Sequence, residues 1–225
     1  MSDILKNLDW SVLTDILFTV VPALICITLH ELSHGYVAYR LGDNTAKNAG
    51  RLTLNPIKHI DPVGLVVMLV ARFGWAKPVP VDMRNFKDPK KGMAVTALAG
   101  PVSNVLIAVI AYVIYGAVFT ALYDKTAGGV ILTLLYTTGY LSISLAVFNI
   151  IPIPPLDGSK VLFALLPDRA YMKLMRYERY GFILLIIIVA LGVTRGPLRT
   201  VTGFLDDALM NLAAWSNGLV NGLVK

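Results

Sequence analysis

Long stretches without a charged side chain constrain this chain more than any other feature. Residues 92–123 and 126–156 contain no Asp, Glu, Lys or Arg, and residues 16–39 contain only Glu31. About 20 consecutive apolar residues are enough to cross a bilayer. Charged residues make up only 15% of the chain, and the mean hydropathy is +0.67. This composition argues against a soluble enzyme or a nucleic-acid-binding domain, and it predicts an all-α protein that crosses a membrane several times.

The basic residues predict how these spans are oriented. Most Lys and Arg residues lie in three loops, 40–61, 72–91 and 153–181, whereas Lys125 is the single basic residue between the two longest apolar runs. Loops rich in Lys and Arg prefer the cytoplasm. We therefore expect those three loops on the cytoplasmic side, and we expect the two longest runs to form a hairpin with Lys125 at its outer tip.

The remaining apolar segments are shorter. Residues 62–71 lie between two of the cytoplasmic loops, and ten helical residues cover about 15 Å, which is half a membrane. Residues 180–194 are few for a span, and 200–224 suit either a span or an amphipathic helix at the interface. We predict five to six transmembrane helices and a short re-entrant segment in one domain over 1–225, with the topology beyond residue 180 left open.

The sequence His30-Glu31-Leu32-Ser33-His34 lies inside the first apolar run. Ionisable groups at membrane depth are energetically costly, so they indicate function. Residues i and i+4 share one face of a helix, which allows His30 and His34 to bind the same metal ion. Glu31 can then act as the general base on a water molecule that the metal activates. Zinc suits this chemistry, and the pattern predicts one Zn²⁺ per chain.

A catalytic zinc needs a third protein ligand and one open position. Asp157 is the stronger candidate, because it follows an apolar run that ends in prolines, on the same side as the end of the first span. His59 is a second candidate, although a position on the protein surface is favoured for it in its basic loop. Cys26 shares the helical face of His30; it could close the site as a fourth ligand, but packing of a small buried side chain is favoured.

These segments together resemble the site-2 proteases, the intramembrane zinc metalloproteases of peptidase family M50, in a compact form without a PDZ or CBS domain. The resemblance covers about residues 23–165. The matching motifs are His30-Glu31-Leu32-Ser33-His34-Gly35, Leu41-Gly42-Asp43, Gly50-Arg51-Leu52-Thr53-Leu54-Asn55-Pro56, Gly74-Trp75-Ala76-Lys77-Pro78-Val79-Pro80-Val81, Ala99-Gly100-Pro101-Val102-Ser103-Asn104 and Asn149-Ile150-Ile151-Pro152-Ile153-Pro154-Pro155-Leu156-Asp157-Gly158. HExxH is moderately specific by itself, and its combination with NxxPxxxxDG in one membrane chain is highly specific.

The resemblance implies a role for each site residue. His30, His34 and Asp157 are implied to bind zinc, and Glu31 is implied to activate the water. In the family, the asparagine that corresponds to Asn149 lies near the zinc. The resemblance therefore implies that Asn149 holds the substrate or stabilises the oxyanion. We retain these roles as expectations for this chain.

The resemblance also implies a small membrane-associated β-sheet near the site. The alternation of Leu52 with Leu54 and of Val79 with Val81 suits two strands of such a sheet. An exposed edge of this sheet could pair with an unwound segment of a substrate. Asn104 also belongs to a matching motif, but packing between helices is the favoured interpretation of this residue.

The implied function is hydrolysis of peptide bonds within or near transmembrane segments of other membrane proteins, in the cytoplasmic half of the bilayer. A membrane metal transporter or sensor, an inactive adaptor that binds helices, and a metallohydrolase acting on lipid are the alternatives. Intact ligands and a scarcity of further His and Cys residues favour the protease.

Overall fold

The computed structural model describes residues 10–71 and 74–223, and this part of the chain is built from α-helices and short connections. Two 3₁₀ turns, Pro56–Lys58 and Met83–Asn85, lie in the long connections that flank the third helix. The α-helices are α1 (Trp10–Arg40), α2 (Thr45–Asn48), α3 (Pro62–Ala71), α4 (Pro89–Leu122), α5 (Thr126–Asn149), α6 (Asp157–Ala164), α7 (Asp168–Ala190) and α8 (Arg195–Leu223).

The number of helices able to span a membrane is lower than predicted. Three segments are long and apolar enough, namely Ile16–Arg40, Pro89–Leu122 and Ala127–Asn149. A fourth span exists only if Tyr180–Ala190 and Arg195–Leu223 count as one, and these two segments meet at 83°. Gly192 lies in this break with a φ of 71°, a left-handed conformation that commonly ends a helix. The described chain therefore offers three or at most four spans, and the prediction of five to six is wrong.

The predicted small β-sheet is also wrong, since the described residues contain no β-strand. A single antiparallel bridge joins Ile60 to Ala76. Pro78 and Pro80 remove two backbone donors from the segment that would form the second strand. The carbonyl of Pro78 accepts a hydrogen bond from the side chain of Arg51 instead. The Lys77 carbonyl and the Val79 N–H are likewise bonded to side chains, so these backbone groups are not free to build a ladder.

Helix α4 is the centre of the bundle and packs against α1, α5, α6 and α8. Small residues allow these helices to approach closely, as is common between helices in membranes. A Cβ on Gly116 would overlap the backbone of Ala213 in α8, and one on Gly139 would overlap the ring of Tyr112. Buried alanines that contribute to this core include Ala97, Ala108, Ala111 and Ala146.

Polar side chains join the helices inside the bundle. The Ser142 hydroxyl donates to the Asn104 carbonyl at 2.9 Å, which links α5 to α4. The Tyr112 hydroxyl of α4 donates to the Asp206 carboxylate of α8. The outer surfaces of the helices carry large exposed apolar side chains such as Ile110. This arrangement, polar contacts inside and apolar side chains outside, is that of a membrane protein.

Candidate metal centre

Three buried side chains from two distant parts of the chain meet at one point. His30 and His34 lie one turn apart on α1, and Asp157 is the first residue of α6. The two Nε2 atoms are 3.0 Å apart, and Asp157 Oδ2 lies 3.2 Å from each of them. Within residues 10–71 and 74–223, no other group of three His, Cys, Asp or Glu residues brings its ligand atoms together in this way.

The chemistry of this cluster fits a bound cation. Asp157 Oδ2 is buried and has no hydrogen-bond partner in the described part of the chain, although two ring nitrogens lie beside it. In a tetrahedral zinc site with ligand bonds of about 2.0–2.1 Å, neighbouring ligand atoms lie roughly 3.3 Å apart. The separations of 3.0 and 3.2 Å are close to that value. Two nitrogens and one oxygen leave the fourth position open, as in a catalytic zinc site.

Helix α4 orients both imidazole rings from the side opposite to the cluster. His34 Nδ1 lies 2.7 Å from the carbonyl oxygen of Thr96, which can only accept, so Nδ1 carries the proton and Nε2 keeps a free electron pair. His30 Nδ1 lies 3.1 Å from Nδ2 of Asn104, which is completely buried, and Oδ1 of the same amide has no hydrogen-bond partner among the described residues. With the amide turned over, Oδ1 would accept from a protonated His30 Nδ1 and leave Nε2 for a metal. Contacts of this kind set which ring nitrogen can bind a metal.

Gly100 allows α4 to pass this close to the two rings. A Cβ at this position would overlap the Nε2 atoms of both His30 and His34. Thr96, Gly100 and Asn104 are spaced by four residues, so they share one face of α4. This four-residue spacing is the sequence signal that could have revealed their contact with the histidines. The sequence analysis instead favoured helix packing for Asn104 and did not single out Thr96.

The start of α6 positions Asp157, the third member of the cluster, and favours its negative charge. Prolines precede the helix, and Gly158 allows its first turn to pack against the backbone of Ile150. Burial opposes ionisation of Asp157, and a cation held by the cluster would compensate its negative charge. The position at a helix N-terminus also favours the negative charge.

Glu31 lies beside the cluster and faces the same cavity, whose volume is about 790 Å³. Its Oε2 accepts a hydrogen bond of 2.9 Å from the backbone N–H of Val79. Asn149 lines this cavity but does not join the cluster, and its side-chain amide donates to the Leu145 carbonyl of its own helix at 3.0 Å. The expected role of Asn149 in substrate binding stays a prediction.

His59 and Cys26 lie outside the cluster. His59 is only 1% exposed, and its Nε2 lies 2.9 Å from the Thr53 carbonyl. The favoured surface position for His59 is therefore wrong, because its loop folds back and encloses the ring. Cys26 is fully buried and its Sγ lies 3.5 Å from the Thr138 carbonyl, which agrees with a packing role.

Comparisons with known proteins place the chain in a family. The family model described as peptidase family M50 matches residues 116–193. The Bacillus subtilis protein named "Putative zinc metalloprotease YwhC" is 41% identical over 180 residues, which cover 76% of this chain and 79% of the relative. The chain belongs to peptidase family M50. The site-2 protease family predicted from the motifs is thus confirmed, and with it the class of enzyme, a zinc metalloprotease.

The matches to more distant M50 relatives cover smaller shares of those proteins. Rip2 of Mycolicibacterium smegmatis, named in the same words as YwhC, is 29% identical, and the match covers 74% of this chain and 64% of Rip2. "Zinc metalloprotease MJ0392" of Methanocaldococcus jannaschii is 28% identical, and the match covers 75% of this chain and 38% of that protein. No solved structure matches the chain significantly.

Proposed function

We propose that this M50 protein hydrolyses peptide bonds within or near the transmembrane segments of other membrane proteins, with one Zn²⁺ per chain. The observation that carries the proposal is the convergence of His30, His34 and Asp157 beside Glu31, on the wall of one cavity. The two histidines and Glu31 belong to the candidate span Ile16–Arg40. A peptide bond presented to this site therefore comes from a segment at membrane depth.

The residues of the cluster divide the chemistry between them. His30, His34 and Asp157 would hold the zinc ion, which when bound polarises a carbonyl and lowers the pKa of a water molecule. Glu31 is the general base, so its carboxylate takes a proton from the attacking water and returns it to the leaving amine. The Val79 N–H holds Oε2 of Glu31, which leaves the other carboxylate oxygen for the water.

The substrate segment has to unwind before it can react. The carbonyls of a helix are engaged in hydrogen bonds to the N–H groups four residues later, so the attacked carbonyl must first be released. A cavity of about 790 Å³ has room for a short extended segment. We assign Asn149, on the wall of this cavity, to holding the substrate carbonyl or the oxyanion.

The proposed site lies in the cytoplasmic half of the membrane. His30 and His34 are in the last turns of α1, which ends at Arg40, and the following loop is rich in basic residues. The basic region 153–181 begins just before Asp157. Because such loops prefer the cytoplasm, water and cleaved products reach the site from that side.

The test uses the full chain in lipid vesicles with a panel of reporters, each one apolar span between two tags. We expect the wild type to cut at least one reporter within its span, at a site identified by mass spectrometry. Glu31→Gln should reduce cleavage by about 10²–10⁴-fold while one zinc per chain is retained. Ser33→Ala is the matched control on the same helix, and it should keep full activity. Among the described residues, the Ser33 side chain bonds only to the Leu29 carbonyl of its own helix.

Two results would contradict the proposal. Undiminished cleavage by Glu31→Gln would exclude Glu31 as the base. Failure of the zinc-loaded wild type to cut any reporter, together with zinc transport into the vesicles, would favour the metal transporter over the protease.

A further inference from the structure

Arg51 is a buried cation without an acidic partner. It is 6% exposed, and no carboxylate forms an ion pair with it in the ranges 10–71 and 74–223. Its Nη2 donates to the Lys77 carbonyl at 2.6 Å and its Nη1 donates to the Pro78 carbonyl at 3.2 Å. Burying a guanidinium group among neutral acceptors is costly. A neutral side chain would avoid this cost, so any role that requires the charge lies in the contacts of the guanidinium group.

The peptide group between Pro78 and Val79 connects Arg51 to Glu31. Its carbonyl oxygen accepts from Arg51 Nη1 at 3.2 Å, and its N–H donates to Glu31 Oε2 at 2.9 Å. The peptide group is planar and stiff, with its C=O and N–H pointing in opposite directions. A cation on one end and a carboxylate on the other polarise the group and strengthen both hydrogen bonds. One rigid unit therefore joins the buried charge to the proposed base.

The surrounding segment is built so that this N–H is available. Pro78 and Pro80 have no N–H, so Val79 offers the single donor between them. The segment is also tied on both sides of this point. The Lys77 N–H donates to the His59 carbonyl at 3.0 Å, and the Asp82 N–H donates to a buried carboxylate at 2.7 Å.

The same segment packs against α1 one turn beyond Glu31. A Cβ at Gly35 would lie 3.1 Å from Cγ1 of Val79 and 2.8 Å from Cδ2 of Leu52, so the absence of a side chain there permits the close approach. Leu52 follows Arg51 directly in the chain. Packing and hydrogen bonding thus hold the Val79 amide at a fixed distance from the helix that carries Glu31.

We propose that Arg51 is a positioning residue for Glu31 and acts through the peptide group between Pro78 and Val79. The proposal rests on the function proposed above, in which Glu31 is the general base. Arginine suits the task because its planar fork reaches two carbonyls at once, whereas lysine offers a single point charge. Arg51 touches neither the metal cluster nor the proposed site of substrate attack.

This role predicts a specific pattern of effects. Arg51→Ala should lower kcat by about 10–100-fold, which is part of the contribution of a general base, while KM changes little. Zinc content should stay at one per chain. Arg51→Lys should recover part of the lost kcat, since it can still bind one carbonyl. The amide of Val79 should exchange with solvent at least about tenfold faster in Arg51→Ala, although Glu31 is intact.

The experiment measures zinc content, cleavage of a reporter and amide exchange on the same purified full-length variants. Arg169→Ala is the matched control, because Arg169 is an exposed arginine that does not line the cavity. It should leave all three measurements unchanged. If Arg51→Ala does not fold, Arg51→Lys carries the test, with a smaller loss of kcat and faster exchange at Val79.

A double-mutant cycle separates positioning from general stability. Glu31→Asp shortens the side chain, so its carboxylate no longer reaches the Val79 N–H. If Arg51 acts through Glu31, adding Arg51→Ala to Glu31→Asp should cost much less activity than in the wild type. Fully additive losses, or unchanged exchange at Val79 in Arg51→Ala, would overturn the proposal. The exchange result holds even if no reporter is cut, so failure of the proposed function is recognised separately.

Discussion

Two buried aspartates of this protein, Asp43 and Asp157, have opposite surroundings. Asp43 is fully buried, and its oxygens accept hydrogen bonds from Thr45, Asp82 and Asn85. Asp157 is 8% exposed and faces the ring nitrogens of two histidines, and its Oδ2 has no hydrogen-bond partner in the described part of the chain. One carboxylate is surrounded by donors, and the other by groups that themselves carry electron pairs.

The difference shows that burial alone does not identify a functional acid. The charge of Asp43 is compensated by protein N–H and O–H groups, and this carboxylate ties the loop after α1 to residues 82–85. The charge of Asp157 is left for something outside the protein, because its neighbours are metal-ligand groups. We therefore expect loss of Asp157 to affect metal binding, and loss of Asp43 to affect stability.

Removal of Asp157 should have the largest effect. In Asp157→Ala, zinc affinity should fall by more than about 100-fold, since even the loss of a residue that only orients a ligand costs 10–100-fold. Reporter cleavage should be lost together with the metal. Zinc per chain and its dissociation constant measure the first effect, on protein purified without chelators.

Asp168→Ala is the control for this variant, because Asp168 is an exposed carboxylate that pairs with Lys90. It should bind zinc as the wild type does. Unchanged zinc in Asp157→Ala would keep a metal site but would require a different third ligand.

Replacement of Asp43 should give the opposite result. Asp43→Asn loses charge-assisted hydrogen bonds, which contribute about 1.5–3 kcal/mol. For a chain of this length, that loss corresponds to a fall of roughly 5 °C in the midpoint of thermal unfolding. Zinc content should be unchanged at temperatures where the variant is folded. Asp124→Asn, at an exposed loop position, is the control and should unfold like the wild type.

The contribution of Asp43 should also depend on pH. Burial opposes its ionisation, but hydrogen bonds from Thr45, Asn85 and the Asp82 N–H more than offset this and lower its pKa. A lowered pKa in the folded state stabilises the protein above the unfolded value, near 3.9, and this stabilisation is lost as the pH falls through the folded pKa. The difference in unfolding midpoint between wild type and Asp43→Asn should therefore be constant near neutral pH and shrink below about pH 4. A difference that grows on acidification would contradict this sign.

The local part of the site was predictable because it depends on helical spacing. His30 and His34 share a face in any α-helix, whatever packs against it. Asp157 was predicted from the proline break before it and from a family motif. These two signals indicate a long-range contact with the histidines that helical spacing cannot predict. Asn104 was assigned to packing, because the residues next to it in the sequence do not indicate that its side-chain amide contacts a histidine of another helix.

The fold was predictable only where hydropathy determines it. The hairpin of α4 and α5 follows from two uncharged runs. The span count was wrong because neither Tyr180–Ala190 nor Arg195–Leu223 is long and apolar enough to be a span by itself, and the two meet at a bend of 83°. The sheet was inferred from alternating side chains in the segment that contains Pro78 and Pro80. Whether that segment can pair as a strand depends on its missing N–H donors and on the hydrogen bonds from Arg51 to its carbonyls. An alternating pattern of side chains shows neither of these.

The close passage of α4 over the histidine rings, which Gly100 permits, has a consequence for biogenesis. During synthesis α1 leaves the ribosome first, and at about 5–20 residues per second Asp157 follows at least several seconds later. Until α4 has docked, nothing orients the imidazoles, and until α6 arrives the proposed third ligand is missing. An HExxH helix inserted by itself is thus an incomplete chelator, so metal acquisition belongs to the end of membrane assembly. Retained zinc would then report that the bundle has closed.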